Sequence, residues 1–213
     1  MKQAAKSQRS REQILRNALR LFSSRGYRAT SVRDIATAAK LSTGNVYHHF
    51  PDKESIFRTL LNEYWAAIDD PKLPFNRALA TGTFPENLEE VGQASRELVR
   101  VYRRYVALIY VDVVEFEGSH IRKFYAEMAQ RYANFMATHK GAKAIEARLR
   151  PGISAVSAVM FATRFFLNYF AVEILFGVPD HFGKDSQVVI GEIADILRHG
   201  MLRAAPARAA ARA

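Results

Sequence analysis

The chain has 213 residues, 49% of them apolar and 24% charged, with no cysteine and a formal net charge of +10. That length and apolar share are enough to bury a substantial core, and the missing cysteines exclude a disulfide framework, thiolate catalysis and cysteine-built zinc sites. The charge is uneven: residues 1–53 hold 11 Lys/Arg against 3 Asp/Glu, residues 54–197 hold 16 against 18, and the last sixteen hold 4 against none. A basic front on a near-neutral body points to a polyanion-binding head joined to a body with another task.

Taken in order, nearly every segment has helical periodicity. The opening "MKQAAKSQRSREQ" has no apolar run of the kind a signal peptide needs, so a cytoplasmic protein is expected. Its basic residues either graze a nucleic-acid backbone or minor groove or form a disordered leader. Ile14, Leu15, Ala18, Leu21 and Phe22 make one apolar stripe, and Gly26 stands where a helix would end. Ser31 and Asp34 have the spacing of a capping box at the start of a second helix with Val32, Ile35, Ala36 and Ala39. After the turn "KLS" a short helix is expected over 43–49, closed by Phe50-Pro51. Asp52 caps a further helix with Ile56, Phe57, Leu60, Leu61, Tyr64, Trp65 and Ile68 on one side.

Residues 69–87 hold three prolines and a glycine and read as a connector. A long helix is expected over 88–116, kinked near Arg103-Arg104, and a second from Ile121 to about 139. "RPG" opens an apolar helix over 153–176. Arg164, Asn168 and Glu173 lie inside it and would be costly in lipid, so it is expected in a protein core and not in a membrane. A last helix, with Val189, Ile193, Ile196, Leu197 and Met201, runs to about 203, and the alanine- and arginine-rich end is expected to be disordered. The fold class is therefore all-α: a head over 1–53, a larger helical body over 54–203 and a basic tail over 204–213.

The short helix at 43–49 is poorly made for packing. Two helices joined by a three-residue turn over 31–49 match a helix-turn-helix unit. Only Val46 and Phe50, with Leu41, are offered to the core, which leaves Thr43, Gly44, Asn45, Tyr47, His48 and His49 for another purpose. Gly44 lets the backbone approach bases, Asn45 can pair with adenine, and Thr43 can meet a thymine methyl.

The stretch "ILRNALRLFSSRGYRATSVRDIATAAKLSTGNVYHHFPDKESIF" resembles the N-terminal domain of the TetR family of bacterial transcriptional regulators. The resemblance covers about residues 10–60 and rests on "LFSSRGY", "TSVRDIA", the run Gly44-x-x-Tyr47-x-x-Phe50 and "DKESIF". Lys40 departs from the glycine usual at that turn, where a lysine either strains the turn slightly or adds a phosphate contact. The resemblance implies that Ser31, Tyr47, His49 and Lys53 contact phosphates and that Arg33, Thr43, Gly44 and Asn45 lie at or near base edges. It also implies a helical body enclosing a ligand cavity, with the last two helices forming a four-helix bundle across a homodimer.

The body is rich in aromatic residues, which suits an apolar small-molecule pocket. Tyr105, Phe116, Phe161, Phe165 and Asn168 are its candidate lining residues, for a hydrophobic or aromatic effector. Asp112, Glu115 and His120 share no helical face with ligand spacing, so no metal or cofactor is expected. The chain shows no nucleophile–base pair, phosphate loop or metal motif of an enzyme. The leading expectation is a dimeric repressor on a near-palindromic double-stranded DNA operator, released by a small molecule and without a membrane partner. An activator or ligand-independent regulator of the same fold, and a non-specific nucleoid-type binder, are the alternatives.

Overall fold

The structure, a computed structural model, describes residues 2–81, 83–138 and 142–201. These residues form α1 (Lys2–Arg25), α2 (Val32–Ala39), α3 (Thr43–His49), α4 (Lys53–Ile68), α5 (Pro74–Ala80), α6 (Leu88–Phe116), α7 (Arg122–Ala126), α8 (Met128–Thr138), α9 (Ala142–Arg148), α10 (Ala155–Leu175) and α11 (Ser186–Met201). The fold is all-α, with a helix-turn-helix at its N-terminal end. The tail expected over 204–213 lies outside the described residues.

Packing divides these helices into two compact units. The first takes in α1–α4, the later part of α6, and α7. The second takes in α5, the first part of α6, and α8–α11. Residues 54–73 and 100–127 thus group with the head, whereas sequence pattern suggested a division after residue 53. α6 departs from helical geometry at Tyr102 (φ −98, ψ 16), just before the expected kink.

In the first unit, local signals set the helix ends. Ser31 Oγ accepts the Asp34 N–H at 3.1 Å, and Asp34 Oδ2 accepts the Ser31 N–H at 2.8 Å, a reciprocal capping box. The Ser31 hydroxyl also donates to Asp34 Oδ2, at 2.5 Å, and this bond, then the one from the Ser31 N–H, holds the Asp34 carboxyl below its ordinary pKa. Ser42 Oγ caps α3 by accepting the Asn45 N–H at 3.1 Å, and Asp52 Oδ1 caps α4 by accepting the Ser55 N–H at 2.6 Å. Between these ends Ile14, Phe22, Ile35, Val46, Phe57 and Leu108 close one buried core. The basic opening does not stand apart as an arm or leader. It continues α1 from Lys2, because Ala, Lys, Gln and Arg are strong helix formers and Gln8 bonds Glu12 one turn on at 2.9 Å.

In the second unit α6, α10 and α11 each contribute fully buried apolar residues, among them Val91, Phe166 and Ile190. By length and composition α10 could cross a membrane, but its Ala155, Ala158, Val159, Ala162, Phe166 and Phe170 are buried, and the helix packs on α8, α9 and α11. Arg198 Nη2 donates to both carboxylate oxygens of Glu89, at 2.9 and 2.7 Å, tying α11 to the start of α6. The single helix expected from Ile121 to about 139 is two helices parted at Glu127, and α9 was not anticipated, since only Ile145 of its residues has an apolar partner pattern to mark it.

Gly92 marks the tightest approach within this unit. A Cβ there would lie 2.9 Å from Ile190 Cγ2 and 2.9 Å from Phe166 Cε1, both of fully buried side chains. Gly92→Val should therefore lower stability by about 1–3 kcal/mol through overpacking, although valine is the better helix former. Urea denaturation followed by far-UV circular dichroism checks this, and an unchanged midpoint would show that the α6–α11 seam can widen.

Candidate nucleic-acid interface

The recognition helix α3 turns one face inward and leaves the rest open. Val46 and the closing Phe50 are buried. Thr43, Gly44 and His48 are exposed, and Tyr47 is 55% exposed with its ring outside the core. Gly44 matters most here. A Cβ built on it meets only Ser42 Oγ, at 3.9 Å, which is ordinary contact. Packing therefore does not require a glycine, and in a helix glycine costs about 1 kcal/mol relative to alanine. What it provides is a stretch of bare backbone on an outward face.

The neighbouring candidates fall as follows. Ser31 and Arg33, at the start of α2, are exposed. His49 is half-buried, and burial, then the neighbouring His48 and Arg11, hold its pKa below the ordinary value, which favours a neutral ring able to donate one hydrogen bond. Asn45 departs from expectation. It is half-buried, and its Oδ1 is enclosed without a hydrogen-bond partner, so the acceptor half of the amide is not presented outward.

Lys53 also differs from a free phosphate contact. Its Nζ donates to the carbonyls of Tyr27 at 2.8 Å and Thr30 at 2.9 Å and sits 3.9 Å above the Tyr27 ring. Burial pushes its pKa down. An ammonium has three donors, so one remains for an anion while two fasten the loop that leads into Ser31.

Sequence reasoning missed the other half of that fastening. Glu115, near the end of α6, accepts the Tyr27 N–H on Oε1 at 2.9 Å and the Arg28 N–H on Oε2 at 2.5 Å. Arg28 Nη2 returns a bond to the Glu115 carbonyl at 3.2 Å. Gly26, at φ 87, leaves room for the carboxylate, since a Cβ there would meet Glu115 Oε1 at 2.5 Å. Nearby, His120 Nδ1 lies 2.5 Å from the buried Asp112 Oδ1, and its Nε2 lies 3.3 Å from Glu54 Oε1 on α4. The three residues weighed for a metal are thus engaged otherwise: Glu115 with backbone amides, Asp112 and His120 with each other. No local pattern could reveal contacts between groups 66 to 88 positions apart in the chain.

The candidate ligand residues do not gather in one unit. Tyr105 lies flat against Tyr64, with ring centroids 5.7 Å apart, and Phe116 packs between Tyr27 and Phe57 at 4.5 and 5.1 Å, all in the first unit. Phe161, Phe165 and Asn168 belong to the second unit, where their spacing puts them on one exposed face of α10. Phe161 is 60% exposed and Phe165 40% exposed, so neither lines an interior cavity of the chain as it stands.

A helix-turn-helix with three capped helix starts and an outward-facing glycine in its second helix defines a DNA-binding head. Residues 14–60 match the family model described as bacterial regulatory proteins, tetR family. The head is thus similar over those residues to the DNA-binding domain of that family. It is 30% identical over 132 residues to the HTH-type transcriptional repressor KstR2 of Mycolicibacterium smegmatis, a match covering 56% of this chain and 63% of that protein. It is 38% identical over 106 residues to KstR2 of Rhodococcus jostii, covering 49% of this chain and 50% of that one. The matches therefore span about half to under two thirds of these relatives. Among solved structures, the ketosteroid transcriptional regulator KstR2 of Mycobacterium tuberculosis aligns over 91% of this chain and 95% of its own, with a TM-score of 0.55 at 23% identity. A tetR-family regulatory protein from Rhodococcus RHA1 aligns over 92% and 98%, with a TM-score of 0.64 at 17% identity. At those identities the structural likeness speaks for the fold alone.

Proposed function

We propose that this chain is a sequence-specific, DNA-binding transcriptional regulator, and that it acts as a homodimeric repressor released from a near-palindromic operator by a small hydrophobic or aromatic ligand. The observation that carries the reading is Gly44. It is a glycine in a helix, unneeded for packing, and Ser31, Arg33, Thr43 and Tyr47 of the same helix-turn-helix are exposed as well. In this role Tyr47, His49 and the remaining donor of Lys53 hold phosphates, Ser31 joins them by turning its hydroxyl proton away from Asp34 Oδ2, to which it donates at 2.5 Å in the free chain, and Arg33, Thr43 and the bare backbone at Gly44 lie against base edges. Asn45 supplies at most the donor half of its amide. The similarity to repressors of the tetR family supports regulation by DNA binding.

Dimerisation is supported by apolar residues left uncovered in the second unit. Phe161 and Phe165 on α10 and Val188 and Ile196 on α11 are all exposed, Ile196 at 69%. Two heads joined this way would read half-sites about 34–36 Å apart, one helical turn of DNA. A ligand that favours one arrangement of the body would weaken DNA binding by a coupling on the order of 1–3 kcal/mol, and DNA would weaken ligand binding by the same factor. The hydrophobic ligand class accords with the density of aromatic residues in the body.

The test is selection from a random duplex pool, followed by sedimentation of the free chain and of its complex. A recovered near-palindrome bound at least about a thousandfold tighter than random duplex, by a dimer, is the expected result. Equal binding to all duplexes would leave a nucleoid-type binder instead, and a monomer that bound the recovered site just as tightly would overturn the dimer.

A further inference from the structure

Lys40 occupies a backbone conformation that its side chain makes costly. It closes α2 at φ 56, ψ 41, in the left-handed region. The turn demands that geometry: the Lys40 N–H bonds to the Thr37 carbonyl at 3.1 Å and the Leu41 N–H to the Ala36 carbonyl at 2.9 Å, the paired pattern that ends a helix on a left-handed residue. Glycine adopts it freely, whereas a residue with a Cβ is strained there.

Nothing in the fold offsets the strain. The side chain is exposed, and among the described residues it makes no hydrogen bond or ion pair. Leu41 beside it packs against the core, so the turn is held by its neighbour and not by the lysine. A residue kept in a poor conformation without a structural return is a candidate for function. Its position says which function. Lys40 is two residues before Ser42, no more than about 7 Å of chain, and Ser42 Oγ lies 3.9 Å from where a Cβ on Gly44 would stand. A flexible stem carrying a compact charge suits a single phosphate oxygen beside the open face at Gly44.

We infer that Lys40 is a phosphate-binding residue of the DNA interface, held in a strained turn for the sake of its charge. This rests on the DNA-binding reading above. It adds a backbone-positioning contact and no base reading, so its loss weakens binding to every duplex alike.

The test uses the full chain, Lys40→Gly and Lys40→Gln, titrated against the duplex the wild type selects and against a scrambled duplex, at several salt concentrations. Both variants should lose roughly five- to tenfold in affinity on both duplexes near 0.1 M salt, with the log–log salt slope shallower by about 0.9. Thermal melting should separate charge from strain: Lys40→Gly should melt about 2–4 °C higher and Lys40→Gln at the wild-type temperature. The gain in stability with a loss in binding is a combination that a structural role would not produce. Wild-type affinity and slope in both variants would overturn the inference, as would normal binding by Lys40→Gln alongside weak binding by Lys40→Gly, which would assign the effect to the backbone. A wild type that bound no duplex would bring down both the DNA-binding reading and the role of Lys40, whereas equal wild-type binding to all duplexes would sink only sequence reading and leave Lys40 to the variants. Selective wild-type binding with unaltered variants would sink only the role of Lys40.

Discussion

Phe57→Ala is expected to destabilise the DNA-binding head by about 3–5 kcal/mol, enough to leave much of it unfolded at 37 °C. Phe57 is fully buried, and its ring meets four others, Phe22 at 5.7 Å, Tyr27 at 5.5 Å, Phe116 at 5.1 Å and His120 at 5.6 Å. These come from α1, from the loop before α2, from the end of α6 and from the segment after it. Truncation removes the transfer free energy of a phenyl ring and leaves a cavity at the point where those segments converge. Their backbones are tied independently, by Lys53 to Tyr27 and Thr30 and by Glu115 to Tyr27 and Arg28, so they cannot readily collapse into the space. The measurement is urea denaturation of wild type and variant by circular dichroism. A loss under about 1 kcal/mol would mean that the ring cluster repacks and that these ties are looser than their lengths imply.

Gly44→Leu is expected to do the reverse: leave the fold intact and remove DNA binding. The nearest atom to a Cβ at this position is 3.9 Å away, so the new side chain extends into open space. Leucine is the better helix former by about 1 kcal/mol, and α3 should be no less stable than before. On duplex, the same side chain stands where backbone would approach the bases. The cost is at least that of one lost base contact, about 1–3 kcal/mol, or roughly ten- to more than a hundredfold in affinity. Binding curves on the selected and the scrambled duplex, beside melting curves, check both halves. Undiminished affinity with an unchanged melting temperature would show that Gly44 does not face DNA.

How legible these features are from the chain follows from how local their causes are. The three helix starts of the head each rest on a side chain and an amide three residues on; the spacing shows those at Ser31 and Asp52, whereas the Ser42 cap, of the same local kind, passes as part of the turn. The turn at Lys40 draws notice only through the family resemblance, which usually has glycine there, and its left-handed backbone is seen in the structure. The break at Glu127 is not legible, because residues on both sides of it keep one helical stripe and only the backbone departs.

The division into units follows the same logic at longer range. A change of charge after residue 53 suggested a boundary there, but α4 and the end of α6 bury their apolar faces against the head, and burial takes no account of charge. Phe116 likewise read as a pocket residue because an aromatic ring in a sequence carries no sign of what it packs against.

The sequence by itself determined the all-α class, the helix-turn-helix and the caps at Ser31 and Asp52, because helical periodicity, capping and turn chemistry each act over a few residues. Only the tertiary structure decided that Glu115 clasps the loop ahead of α2, that Lys53 spends two of its donors on that loop, that Asn45 turns its oxygen inward, and that Phe161 and Phe165 face outward. Each of these depends on which helix a side chain meets after the chain has folded back on itself, and hydrogen bonds and burial between segments 20 to 90 residues apart are set by that packing.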